Sequence, residues 1–192
     1  MPLEEDVKQD VRKWSELFLE VPNIHLGGFQ ACPFAKKTWS DNKVIVEVKR
    51  KNKWYKSELN GHVKQLDFDT HDLLIFCDPY FNYSLEDFQT VIDEYNYWHN
   101  KKDIFFMGFH PSNPANEEEQ EFLVTPNGHT PIVESNLEYS MMLAQKFSQL
   151  QEASDKLHRI GYYELWPKGY YQDVVVSRAK TYKRIFGGRH DG

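Results

Sequence analysis

Two residues of this 192-residue chain offer chemistry most directly, Cys32 and His110. Cys32 stands in Cys32-Pro33-Phe34-Ala35-Lys36-Lys37. Proline is favoured at the first position of a helix, where its missing N–H is not needed. The cysteine before it is then expected at the N-cap, beside free backbone N–H groups and the positive end of the helix dipole. With Lys36 and Lys37 close by, such a thiol could ionise near neutral pH and serve as nucleophile, redox group or metal ligand. The same position also suits a small buried cap residue, because free cysteines are among the most buried side chains. His110 follows the apolar run Ile104–Phe109 and precedes Pro111. An imidazole at a strand end has a fixed base and a reachable tip, the usual placement for a general base or a metal ligand. The alternative is a histidine hydrogen-bonded to its own loop.

A thiolate at Cys32 with His110 as base or co-ligand would support thiol transfer, acyl transfer or a single-metal site. Phe34, Lys36 and Phe109 are the substrate-side residues expected around that pair. Asp67-Phe68-Asp69-Thr70-His71-Asp72 collects hard oxygen donors and one imidazole, so a single divalent ion is conceivable there. The run has no established ligand spacing and reads better as a solvated turn. His62 and His129 stand isolated. The P-loop, dinucleotide glycine fingerprint, serine nucleophile elbow and His-Glu-x-x-His patterns are all missing, which removes the easily read enzyme classes.

The elements expected to position these residues follow from periodicity. Leu3 to Glu20 places Leu3, Val7, Val11, Trp14, Leu17 and Phe18 at helical spacing. Val44–Val48 is β-branched and reads as a strand, with a weaker strand expected around Lys53 to Leu59. Leu73–Cys77, closed by Asp78-Pro79, reads as a buried central strand that takes Cys77 into the core. Ser84 and Asp87 resemble a capping box at the start of a helix, and Ile104–Phe109 is the next strand. The two strands flanking that helix are expected to run parallel, with a right-handed crossover. Phe122–Val124 is expected as a brief strand. Ser135 with Glu138 is expected to open one long helix through Leu137, Met141, Ala144, Phe147, Leu150, Leu157 and Ile160, stopped by Gly161. A last helix is expected from about Tyr171 to Phe186, although Val174–Val176 could be a strand. This order predicts a single α+β domain over residues 1–192, a ferredoxin-like sandwich with additional N- and C-terminal helices.

Composition narrows the partners. A formal net charge of −6 argues against a general phosphate-backbone binder, so nucleic acid is disfavoured. The acidic start Met1–Asp6 lacks the apolar core of a signal peptide, and no apolar run approaches the roughly 20 residues of a membrane span. Two cysteines without paired spacing fit a reducing, cytoplasmic setting. A second reading is a non-catalytic binding or self-assembly module. Its surface would come from Trp54, Tyr55, Tyr162, Tyr163, Trp166, Tyr170 and Tyr171, with a homo-oligomer as one outcome.

The Cys32-Pro33-Phe34-Ala35 stretch, the later Gly108-Phe109-His110-Pro111 and the Phe18–Pro22 segment before them together resemble an uncharacterised bacterial and phage family, a domain of unknown function. The likeness spans roughly Trp14 to Phe147. It implies that Cys32 and His110 are the positions to watch and carries no activity. The Asn-Arg-Ser-Pro-Tyr-Pro element of that family is replaced here by Thr125 to Ile132.

Overall fold

The computed structural model describes residues 4–51, 53, 55–80, 83–111 and 138–187. Helix α1 (Glu4–Trp14) aligns Val7, Val11 and Trp14 on one buried face and runs on through a π-helical turn at Ser15–Leu19. A short α2 (Ala35–Ser40) leads to strand β1 (Val44–Val48). Then follow α3 (Tyr55–Gln65), β2 (Leu73–Asp78), α4 (Leu85–His99), β3 (Ile104–Phe109) and β4 (Ser140–Lys146). The chain closes with α5 (Phe147–Arg159), α6 (Lys168–Tyr171), a π-helical turn at Gln172–Val176 and α7 (Ser177–Phe186).

The four strands form one sheet in the order β1-β2-β4-β3. β1 and β2 are parallel, and β4 is antiparallel to both β2 and β3. β2 and β3 therefore run the same way with β4 slotted between them, as expected for the strands flanking α4. This split β-α-β arrangement is what a ferredoxin-like sandwich would show. The departures are at the edge, where β1 is parallel to its neighbour, and in the layers, because helices cover both faces.

Side-chain alternation along each strand sorts the core into two halves. Leu74, Phe76, Phe106, Met142 and Ala144 meet α3 and α4 through Tyr55, Leu59, Phe88, Ile92 and Tyr95. Ile75, Cys77 and Met141 meet α1 on the other face, with Val7, Val11, Trp14 and Phe18. Burying one such aromatic or aliphatic side chain contributes about 1.5–3 kcal/mol, so each helix is fixed by its apolar stripe more than by its own propensity.

Several expectations are corrected here. Instead of a strand near Lys53–Leu59, the chain forms α3, because Tyr55, Leu59 and Val63 repeat every four residues and all face the sheet. The single helix expected through Met141 to Ile160 is split into β4 and α5. Met141 to Ala144 have good helix propensity, but the slot between β2 and β3 is buried on both faces and takes a continuous apolar run as a strand. Asp103 caps α5 from a distance: its carboxylate accepts from the Ser148 N–H at 2.8 Å and from the Ser148 hydroxyl at 2.6 Å. Ile160 is 59% exposed rather than inward, and Gly161 (φ 76°) is the left-handed stop that was expected. Val174–Val176 are helical. Ser84 does cap α4, accepting the Asp87 N–H at 3.1 Å. The Phe122–Val124 strand and Ser135 lie outside the described residues.

Candidate functional site

The carboxyl ends of β1, β2 and β3 lie at one end of the sheet, where the first residue of β4 also sits. Open sheets with parallel strands place ligand sites at this end. In register, Asp78 of β2 stands opposite Ser140 of β4, and Val48 of β1 opposite Cys77. One step further, Lys49 comes beside Asp78. Phe109 pairs with Met141, so His110 comes beside Ser140. Alternation puts all four on the face covered by α3 and α4, the face of Ile45, Phe76, Met142 and Phe106. Lys49, Asp78, Ser140 and His110 thus form a polar row across all four strands, with neighbouring backbones about 4.8 Å apart.

Polar side chains at these depths need partners, and the row supplies some of them. Asp78 is 1% exposed; its Oδ1 lies 3.5 Å from the Lys49 ammonium and accepts the Tyr80 N–H at 2.9 Å. Burial pushes the Asp78 carboxyl up against the opposing pull of Lys49 and the Tyr80 N–H, and the Glu58 carboxylate adds to the rise. The Lys49 ammonium also lies 5.4 Å from the centre of the Tyr80 ring. His110 is 5% exposed, its Nε2 3.3 Å from the Tyr83 carbonyl and its ring 5.5 Å from that of Phe88. Tyr83 in turn packs edge-on to Tyr55, 5.3 Å between ring centres. Burial first, then the Asp78 charge, raises the Tyr55 phenol well above its ordinary value. Two hydroxyls remain buried with no hydrogen-bond partner among the described residues, Tyr55 Oη and Ser140 Oγ.

Cys32 belongs to a different region. Its N–H donates to the Leu19 carbonyl at 3.0 Å, and the neighbouring Ala31 packs with the α1-side core. Tyr162 closes over it, donating its hydroxyl to the carbonyls of Gln30 and Ala31 at 3.0 and 2.7 Å. Helix α2 begins at Ala35 with Phe34 as its N-cap, two residues later than the Cys-Pro step suggested. Burial pushes the Cys32 thiol up; the backbone N–H groups of Phe34 and Ala35 oppose this, and the Glu20 charge reinforces it. The expectation of a thiol ionised near neutral pH is corrected accordingly. Cys32 and His110 take their described contacts on opposite faces of the sheet.

The other expected positions divide in the same way. Phe109 packs on Trp14, 5.8 Å between ring centres, on the α1 face. Phe34 is 41% exposed, and Lys36 is exposed beside it. Cys77 is fully buried, its thiol raised by burial and then by Asp78. The Asp67–Asp72 run is a turn that satisfies itself: Asp67 accepts the Asp69 N–H at 2.9 Å, and Thr70 Oγ1 lies 2.8 Å from His71 Nδ1. Among the described residues no group of three or more His, Cys, Asp or Glu side chains is arranged to hold a metal ion. No described helix is long and apolar enough to cross a membrane. A cavity of about 610 Å³ lies along β3 between α4 and α7. It shares no residue with the row, and Asn96 there pairs with both backbone groups of Phe106 at 2.9 Å, closing that part of the sheet edge.

Lys49, Asp78 and Ser140 escaped sequence reasoning because each looks ordinary alone. The available signal was the polar residue that ends or follows each apolar strand. The chain matches no family model, no curated protein and no solved structure.

Proposed function

We propose that this chain is a small enzyme whose reaction turns on proton transfer at the Lys49–Asp78–Ser140–His110 row. The observation that carries the reading is the convergence of four polar side chains, one per strand, on one buried line at the carboxyl ends of the parallel strands. A carboxyl raised by its surroundings suits a general acid or base near neutral pH. Lys49 supplies a positive charge, Ser140 a hydroxyl without a partner among the described residues, and His110 a second proton carrier. His110 keeps the role expected of it as base, while the thiol of Cys32 lies outside the constellation. The two free cysteines suit a reducing compartment and support a cytoplasmic setting. The test is depletion of individual compounds from a metabolite extract, followed by mass spectrometry. Asp78→Asn and His110→Gln, with their circular dichroism unchanged, are expected to slow the wild-type conversion at least about 100-fold. Conversion at the wild-type rate by folded Asp78→Asn ends the reading.

A second reading, self-association, is favoured by one observation. Ile24, Ile160 and Leu165 are 84%, 59% and 60% exposed, and Leu165 lies over Gly27 beside the Tyr162–Trp166–Tyr170 ring cluster. Sedimentation at rising concentration decides it: a dimer that Leu165→Ser dissociates supports this surface, and a monomer throughout removes it.

A further inference from the structure

The cavity of about 610 Å³ along β3 has the size of a small-ligand site and takes no part in the row. Its floor is the free edge of the sheet, because β3 is an outermost strand. Phe106 stands opposite Ala144, yet its N–H and carbonyl both turn outward to the Asn96 amide. Alternate residues of an antiparallel strand turn their backbone groups the same way. Gly108 therefore also points outward; it is exposed, and these groups have no partner among the described residues. Asn96 keeps a second amide N–H besides the one given to Phe106.

The walls carry opposite charges toward opposite ends. Gly108 lies against Phe88 and Ile92 of α4, which sets Asp93 near that end. The C-terminal half of α7 lies at the other end, where Tyr182 and Phe186 pack on Phe147 and Phe147 packs on Phe105. Asp173 precedes α7, Arg178 follows within it, and Arg184 stands roughly 15 Å beyond Asp173 along the helix. Asp93 accepts from Gln89 Nε2 at 3.0 Å, and the buried Arg178 donates from Nη2 to Ser154 Oγ at 2.9 Å. None of these four charges makes an ion pair among the described residues. Burial works against the Arg178 charge, and Tyr163 and Asp155 offset it only in part.

We infer that this cavity binds a free peptide of about three or four residues, its ammonium group toward Asp93 and Asp173 and its carboxylate toward Arg178 and Arg184. Such a peptide extends roughly 10–14 Å, which suits the spacing of the charges. It lies antiparallel to β3, with its backbone beside Gly108 and the Asn96 amide. A peptide added to a sheet edge draws affinity from main-chain hydrogen bonds, and the charges at the two ends select free termini. A simple carboxylic acid leaves the acidic end unmatched, and a single amino acid is too short to reach both ends. The site is separate from the row and stands whether or not the row is catalytic.

The test uses the full-length protein and the synthetic tripeptide Ala-Leu-Ala with free termini, titrated by calorimetry and followed by amide chemical shifts. Saturable binding is expected, with shifts at Gly108 and at the Asn96 side-chain amide. Acetylating the amino end or amidating the carboxyl end of the probe is expected to weaken binding at least about tenfold each. Arg184 and Asp173 are exposed, so Arg184→Gln and Asp173→Asn are expected to fold normally by circular dichroism. Arg184→Gln should weaken the free tripeptide about three- to tenfold and leave its C-amide unchanged; Asp173→Asn should do the same with respect to the N-acetyl form. A tripeptide that does not bind saturably overturns the inference, as does unchanged affinity in both variants. A doubly capped peptide that binds as tightly as the free one overturns it too and makes an internal protein segment the occupant. Leucine binding as tightly as the tripeptide overturns the assignment of a peptide.

Discussion

The Cys32 corner and the Lys49–His110 row sit on opposite faces of one sheet, and both hold ionisable groups against backbone donors. Around Cys32 every described contact completes a packing arrangement: its N–H goes to Leu19, and Tyr162 ties down the carbonyls on its N-terminal side. Around Asp78 the arrangement is incomplete. One cation and one N–H face a carboxylate that can accept more, and two hydroxyls nearby have no partner among the described residues. Trp14 Nε1, Asn100 Oδ1 and Arg178 Nε are also buried without a partner among the described residues, so what sets the row apart is a buried carboxylate and a cation beside its two hydroxyls. Depth alone does not separate the two regions; the balance of donors and acceptors does.

The sharpest way to break this comparison is to delete each group in turn. Asp78→Ala leaves the Lys49 ammonium buried without its carboxylate and is expected to lower stability by about 3 kcal/mol, read from urea unfolding. Cys32→Ala removes one half-buried sulfur and should lower it by about 1 kcal/mol or less. Equal losses would erase the distinction. Next in size is Gly108→Ala on β3. The added Cβ would come 2.0 Å from Ile92 Cδ1 and 2.7 Å from Phe88 Cε1, where α4 lies directly on the strand beneath His110. Overpacking there is expected to cost about 1–3 kcal/mol, and adding Ile92→Val should recover part of it. No loss would mean that α4 does not fix the row's floor.

A smaller effect carries a sign. Because the folded-state value of Asp78 is raised, the fold binds its proton more tightly than the unfolded chain does. This contribution to stability is complete below the ordinary carboxylate range and is lost as pH rises through the raised value. Asp78→Asn cannot ionise, so its stability relative to wild type should improve steadily across that window. A difference that is flat with pH would contradict the burial argument. The smallest expected effect is kinetic. Cys77 should resist alkylation until the protein unfolds, and Cys32 should react more slowly than a free thiol at pH 8, since burial raises both thiols. Rapid native-state labelling of Cys32 would restore it as a reactive group.

Much of the framework was legible in the residues. Ser84 with Asp87, the β-branched Val44–Val48 and the apolar Leu73–Cys77 each carry a local signal that the fold obeys. The failures occurred where tertiary context overrode local preference. Met141–Ala144 became a strand because a slot between two others had to be filled, and Tyr55–Val63 became a helix because three apolar positions share a face. His110 was readable as a strand-end imidazole. Its neighbours were not, because Lys49, Asp78 and Ser140 are brought beside it only by strand order and register, neither of which any single stretch encodes. Cys32 drew notice through its proline, but local pattern could not show that Tyr162, 130 positions later, would close over it.

The most direct test sets the two regions against each other in one assay. Depletion of compounds from a metabolite extract would be compared for wild type, Cys32→Ala and Asp78→Asn, each confirmed as folded. Conversion retained in Cys32→Ala and reduced at least about 100-fold in Asp78→Asn is the predicted result. Conversion lost with the thiol and retained without the carboxylate would contradict the account and return the chemistry to the other face of the sheet.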